Sequence, residues 1–153
     1  MIEYDDIIKD SPFLVNHLIT LKKTHDFYIN KHIRNGTEIL PSQYYMLLFL
    51  YYEMGTTQSD IAKACLMDKS GVSRAFKDFE EKGLIEREID ENNKRAYKIT
   101  LTKKGIETAE FIIEKEKEWD DMICNQLDIP REDLIKSLSE ISLKSLEFNR
   151  EQF

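Results

Sequence analysis

A chain of 153 residues, 41% hydrophobic and 33% charged, has room for one ordinary soluble domain, or a small domain with helical extensions, and enough apolar side chains for a core. No apolar run reaches the roughly 20 residues of a bilayer-spanning helix, the acidic opening Met1-Ile2-Glu3-Tyr4-Asp5-Asp6 is unlike a signal peptide, and Cys65 and Cys124 lack CxxC spacing. A cytoplasmic protein with buried thiols and no membrane partner is expected. The net charge of −7 opposes wholesale nucleic-acid binding, yet it is unevenly spread: Lys/Arg against Asp/Glu runs five to seven in residues 1–54, eleven to nine in 55–105 and six to thirteen in 106–153. Only the middle third is net basic, as a local phosphate-binding face requires.

The first helix is expected from Ser11 to Ile33, with Phe13, Leu14, Leu18, Leu21 and Tyr28 at helical spacing and Asn35-Gly36 as its stop. Pro41 suits a first helical position and opens a second helix through Tyr51 or Tyr52, followed by Gly55. Thr57-Gln58-Ser59-Asp60 reads as a capping box with Asp in place of Glu, starting a short helix from Gln58 to Cys65 with Ile61, Ala62 and Cys65 inward. Asp68 then caps a helix that ends at Lys82, where Gly83 supplies a left-handed residue. Beyond it the apolar period drops to two. Ile85, Arg87 and Ile89 alternate with charged residues, as do Tyr97, Ile99 and Leu101 with Lys98 and Thr100. The intervening polar stretch 90–96 makes these two strands a β-wing. Thr102 caps a long helix from Lys103 to Leu127, and Pro130 opens the last one, striped by Leu134, Leu138, Ile141 and Phe148. The expected class is mainly α with a small β-wing: a winged helix-turn-helix domain over residues 37–102, plus a helical dimerisation region over 1–36 and 103–153.

A helix that reads DNA needs an apolar face to anchor it and a polar face for the major groove. Counting about 100° per residue from Val72, Phe76 and Phe79 fall within about 40° of it, while Ser70, Ser73, Arg74 and Lys77 fall between about 100° and 200°. Arginine can chelate guanine, serine can bond bases or phosphates, and lysine neutralises phosphate. Lys69, Ser70, Ser73, Arg74 and Lys77 are therefore the expected DNA contacts of this helix. Gly71, unfavourable inside a helix, is expected to let the backbone approach DNA closely. At the wing, Lys94 and Arg95 sit where a ribbon can insert a cation into a narrow minor groove. A lone helix of this kind is an ordinary solvated surface helix. The composite of a short capped helix, a second helix and a basic-tipped ribbon is what separates it from that reading.

These motifs resemble the MarR family of transcription regulators over nearly the whole chain, most strongly from Gln58 to Gly105. Gln58-Ser59-Asp60-Ile61-Ala62 looks like the family's first helix-turn-helix element, and Asp68-Lys69-Ser70-Gly71-Val72-Ser73-Arg74 is similar to its recognition-helix start. Glu80-Glu81-Lys82-Gly83-Leu84-Ile85 is similar to its exit into the wing, and residues 90–96 followed by Leu101-Thr102-Lys103-Lys104-Gly105 to its DxxDxRx…LTxxG signature. The resemblance implies a homodimer packed through the first, fifth and sixth helices, two recognition helices on a pseudo-palindromic duplex, and release by a small ligand, often an aromatic acid, between the dimerisation helices and the winged domain. Two departures stand out. Asn93 occupies the place of the second wing aspartate, and the first helix lacks the cysteine of the family's peroxide sensors.

His17, His25 and His32 lie on the first helix, none one turn from another and with no cysteine nearby to complete a ligand set. No metal or cofactor is assigned, although ligands converging across a dimer would make a metal-responsive regulator. Tyr44, Tyr45, Phe49, Tyr51 and Tyr52 can line an aromatic effector pocket or simply pack against neighbouring helices. Without a Walker loop, GxSxG or HExxH motif, no catalytic residue is assigned and an enzyme is not expected. The rival class is a winged-helix module that binds protein instead of DNA.

Overall fold

The computed structural model describes residues 8–65, 67–89 and 97–152. It is mainly helical with a small antiparallel sheet, as the pattern predicts. From Leu14 onward the elements are α1 (Leu14–Gly36), a 3₁₀ turn (Pro41–Gln43), α2 (Tyr44–Tyr52), β1 (Thr56–Thr57), α3 (Gln58–Ala64), α4 (Lys69–Glu81), β2 (Ile85–Ile89), β3 (Tyr97–Leu101), α5 (Lys103–Cys124) and α6 (Arg131–Gln152). The chain divides into two compact units, residues 1–116 and 117–153, and the boundary falls within α5.

The first unit closes around one core. Ile29 and Ile33 of α1, Leu47 and Leu50 of α2, Ile61 of α3, Phe76 and Phe79 of α4, Ile99 of β3 and Ile112 of α5 are all essentially buried. Helices α3 and α4 give one face to this core and turn their charged residues outward, which is the pattern that makes a short helix such as α3 stable at all. The anchored face expected of α4 is the observed one: Val72, Phe76 and Phe79 are buried, joined by Ala75. On α1, by contrast, only the C-terminal half is buried, through His25, Ile29 and Ile33. Phe13, Leu14, Leu18 and Leu21 are exposed in the single chain.

Several local expectations change. Helix α1 starts at Leu14, because the Ser11 hydroxyl and carbonyl are taken by Asn16 (2.8 Å) and His17 (3.0 Å). It then runs through Gly36, which does not turn left-handed; positive φ is confined to Gly55 and Gly83 among the described glycines. A Cβ at Gly36 would stand 2.3 Å from the Phe111 ring, so this glycine serves close helix packing instead of stopping the chain. Pro41 opens a 3₁₀ turn instead of α2 itself. The Gln43 side chain accepts the Leu40 N–H at 2.8 Å and its own backbone N–H donates to the Leu40 carbonyl at 2.9 Å, holding the turn shut. Helix α5 ends at Cys124, three residues early, because the bonds of Gln126 to Ile123 (3.2 Å) and Leu127 to Cys124 (3.1 Å) tighten the chain into turns.

The sheet has the order β1-β3-β2, and β1 is an element the sequence pattern does not announce. Gly55, with φ +80°, swings the chain so that its N–H reaches the Ile99 carbonyl at 3.2 Å, and Thr56 and Thr57 pair with Ile99 and Lys98. In the ribbon, Ile85 faces Leu101 and Ile89 faces Tyr97. Ile85, Ile99 and Leu101 are buried, but Ile89 and Tyr97 at the outer end are exposed, so the ribbon leaves the core as it extends.

In the second unit, the last turns of α5 lead through a short connection to α6, where Arg131 pairs with Asp120. No described side chain of α6 is buried: Ile141, Leu143, Leu146 and Phe148 all remain exposed. No helix among the described residues is long and apolar enough to cross a membrane.

Candidate nucleic-acid interface

Helix α4 is held at both ends by bonds its own sequence supplies. At its start, Asp68 accepts the Gly71 N–H at 2.7 Å and the Ser70 hydroxyl proton. Those two bonds, Ser70 first, hold the Asp68 carboxyl below its usual range. A Cβ at Gly71 would meet the Asp68 carboxylate at 3.3 Å, so the cap itself accounts for this glycine locally. At the other end Gly83, at φ +67°, donates to Glu80 (2.9 Å) while Leu84 donates to Phe79 (2.8 Å), the bond pair of a Schellman turn. Helix α3 is capped likewise: Thr57 accepts the Asp60 N–H at 3.3 Å and donates to its carboxylate at 2.6 Å.

The end of α4 is locked to the start of α5. The Thr102 N–H donates to Leu84 (3.0 Å), its hydroxyl donates to Gly83 (2.7 Å) and accepts the Gly105 N–H (3.1 Å). A Cβ on Gly105 would lie 2.0 Å from the Leu84 carbonyl oxygen, so only glycine permits this approach. Lys104 bridges Glu38 and the Lys82 carbonyl, and its ammonium lowers the Glu38 pKa.

Lys69, Ser70, Ser73, Arg74 and Lys77 are all exposed on α4; Ser70, Ser73, Arg74 and Lys77 lie on the side away from Val72, Phe76 and Phe79, whereas Lys69, in the first turn, lies near the angle of Phe76. The structure thus brings four of the five expected residues of this helix onto one face, with Lys69 exposed in its first turn outside that sector. Ser70 gives its proton to Asp68, which leaves its lone pairs as acceptors, and Lys77 lies 3.9 Å from Glu81. Lys94 and Arg95 lie outside the described residues. Carboxylates edge the basic face. Counting as above, Glu80 falls at about 80° and Asp78 at about 240° around the helix. Glu80 pairs with Arg87 of β2 at 2.5 Å, while Asp78 takes Lys82 at 2.6 Å and the buried Gln43 amide at 2.9 Å. Lys82 and then Gln43 hold the Asp78 carboxyl below its ordinary range against the opposing effect of burial. Sequence reasoning missed these braces. The Asp78–Lys82 spacing of one helical turn was a usable signal, but nothing local marks Gln43 or Arg87.

Between α1, the 3₁₀ turn and α2 lies an open pocket of about 530 Å³, lined by Lys22, Asp26, Asn30, Arg34, Tyr44 and Tyr45 among others. Of the aromatic cluster, Tyr44 and Tyr45 reach it, stacked at 4.1 Å, whereas Phe49 and Tyr51 pack against the core. Tyr44 is buried, and that burial, followed by Tyr45, pushes its phenol far above the ordinary range. Its hydroxyl finds no partner of good hydrogen-bond geometry among the described residues. The histidines serve separate contacts: His17 at Ser11, His32 against the Tyr28 ring (4.5 Å), and His25 on Glu116 at 2.7 Å. Among the described residues no cluster of three His, Cys, Asp or Glu is placed to hold a metal ion. Burial raises the Cys65 thiol pKa, away from a reactive thiolate.

Two adjacent capped helices, the second presenting a basic face, followed by an antiparallel ribbon, define a winged helix-turn-helix protein. The MarR family model matches residues 38–96. A MarR transcriptional regulator from Methanosarcina mazei Go1 superimposes with a TM-score of 0.80 at 25% identity, over 90% of this chain and 99% of that one. The S. aureus MepR–DNA complex does so with a TM-score of 0.74 at 25% identity, over 88% and 99%. The HTH-type transcriptional regulator BilQ of Clostridium symbiosum is 31% identical over 54% of this chain and 58% of its own length, so the match spans little more than half of that relative. Residues 38–96 thus match the MarR family, and the fold over most of the chain is similar to that of MarR transcriptional regulators.

Proposed function

We propose that the protein acts in the cytoplasm as a homodimeric repressor that occludes a promoter by binding a pseudo-palindromic operator. The observation that carries this reading is the exposed face of α4, where Ser70, Ser73, Arg74 and Lys77 stand together, with Lys69 exposed in the first turn, on a helix anchored by three fully buried side chains. Such a face offers donors for base edges and cations for phosphates. Lys94 and Arg95, in the segment joining β2 to β3, supply the wing's contact to the minor groove. MepR of S. aureus, a protein of the same fold, is seen in complex with DNA. The dimer is supported by the apolar residues that the single chain leaves exposed on α1 and α6, since contiguous apolar stripes of this kind call for a partner. In this reading residues 1–36 and 103–153 dimerise and residues 37–102 read DNA.

A small aromatic acid is the proposed effector. Arg34, and Lys22 beside its partner Asp26, provide cationic groups for a carboxylate, and the Tyr44–Tyr45 pair provides a stacking surface. Selection of duplex DNA from a random pool tests the reading: an inverted repeat with half-sites about one helical turn apart is expected, and no enrichment even at low salt would favour a protein-binding module. On the recovered site, Arg74→Ala is expected to relax base preference; an unaltered preference removes its specificity role. Arg95→Ala is expected to weaken binding, and unchanged affinity at moderate salt removes the wing contact. Sodium salicylate, as an aromatic-acid probe, is expected to weaken the complex, and unchanged affinity would count against release by this class of ligand.

A further inference from the structure

We infer that Gln43 is a positioning residue for DNA reading, setting the pose of α4 through the Asp78 carboxylate. This inference rests on the reading of α4 as the recognition helix and names a residue that never meets DNA. Gln43 is only 6% exposed, a rare setting for an amide unless both its ends are bonded. Its oxygen accepts the Leu40 N–H at 2.8 Å and its nitrogen donates to Asp78 at 2.9 Å. That polarity is dictated: the Leu40 N–H is only a donor and a carboxylate offers only acceptors, so the amide fits in one orientation alone. Asp78 is also the carboxylate that receives Lys82 at 2.6 Å, one turn along the same helix.

The geometry makes this bond a brace and not merely a filled polar site. The buried face of α4 resists withdrawal from the core and any large rotation that would expose it, and the directional bonds on its flanks fix the finer rotation and slide that packing leaves. Rotation is what decides whether Ser73 and Arg74 meet base edges or only phosphates. Two directional contacts fix it from opposite flanks, Glu80 to Arg87 of β2 and Asp78 to Gln43. The first ties α4 to an exposed ribbon. The second ties it to a buried residue of a turn held shut by its own side chain, and it is the more rigid of the two. The same turn contributes Leu40, Pro41 and Ser42 to the wall of the Lys22/Arg34 pocket, so the pocket wall and the recognition helix share one short piece of backbone.

The test is a charge-relocating pair of isosteric changes in the full chain. Gln43→Glu sets a second carboxylate against Asp78 and breaks the brace. Combining it with Asp78→Asn restores every bond of the brace in the reverse direction, since the new carboxylate still accepts the Leu40 N–H while the new amide on α4 donates to it. The readout is the ratio of affinities for the selected duplex and a scrambled one, by fluorescence anisotropy, beside the melting temperature. The ratio separates the two roles because loss of folded protein lowers both affinities alike. We expect Gln43→Glu to reduce the ratio about tenfold and the double variant to return it to within about twofold of the parent. A ratio unchanged in Gln43→Glu while the melting temperature falls would overturn the positioning role, as would a double variant no better than the single. Should Gln43→Glu fail to fold, Gln43→Met, which keeps the volume and removes the amide, is read the same way. If the parent protein prefers no duplex at all, the reading of α4 as a DNA reader fails and the inference falls with it; a parent that discriminates beside variants that discriminate equally overturns the inference alone.

Discussion

Helices α4 and α6 are both amphipathic, yet their apolar sides meet opposite fates. In α4 Val72, Ala75, Phe76 and Phe79 are buried by the chain's own elements. In α6 no described residue is buried, and Leu143 and Phe148 are more than half exposed. The difference shows what each helix needs. The pose of α4 is set within one chain by burial, caps and flanking carboxylate bonds. The stripe of α6 leaves its apolar surface in water at a cost of about 25 cal/mol per Å², which a second copy of the chain would remove.

This contrast can be broken from either side. Phe76→Ala removes a fully buried ring from under the recognition face, and a loss of about 3–5 kcal/mol in unfolding free energy is expected from denaturant titration. A loss below about 1 kcal/mol would mean that α4 is not anchored as described. Gly105→Ala pushes a Cβ into the Leu84 carbonyl and separates the start of α5 from the end of α4. About 1–3 kcal/mol of destabilisation is expected, with weakened duplex binding, by the same titration and by anisotropy.

Leu146→Asp on α6 is expected to act differently. It should raise the dimer dissociation constant about tenfold or more, roughly 1.4 kcal/mol, as seen by analytical ultracentrifugation, with the near-UV circular dichroism of the first unit unchanged. Loss of that spectrum would show that α6 supports the fold of the single chain. The smallest effect concerns the cap. The Asp68 carboxyl is held below its ordinary pKa by Ser70 and Gly71, so its contribution is fully present above the unfolded value near pH 4 and fades as pH falls through the folded one. Asp68→Asn keeps a capping oxygen but cannot titrate. Calorimetry from pH 7 to pH 3 should show a shallower fall of melting temperature in this variant than in the parent, and parallel curves would remove the cap from acid sensitivity.

What was legible in the sequence was local. Thr57, Asp68, Thr102 and Gly83 act within a few residues of themselves, so their cap signals could be read directly, and the anchored face of α4 followed from helical period alone. The contacts that orient that helix are not local. Gln43 and Asp78 are 35 residues apart and His25 and Glu116 are 91 apart, and no periodicity links such pairs. Gly36 shows the limit most clearly. Its dipeptide reads as a helix stop, but the Phe111 ring packed over it uses the missing side chain for close approach. Strand β1 was invisible for a related reason: two threonines carry no period, and their pairing exists only because β3 lies beside them. Of the candidate interface, the α4 residues were legible because a helix displays its two faces in sequence. Their bracing by Arg87 and Gln43 was not.

The claim of a dimeric reader is tested most directly by native mass spectrometry of the full chain, alone and with the duplex recovered by selection. Two chains free in solution, and two chains on one duplex in a complex that dissociates steeply as salt rises, are the predicted result. A monomer that binds no duplex, or one chain seated on an asymmetric site, would contradict it.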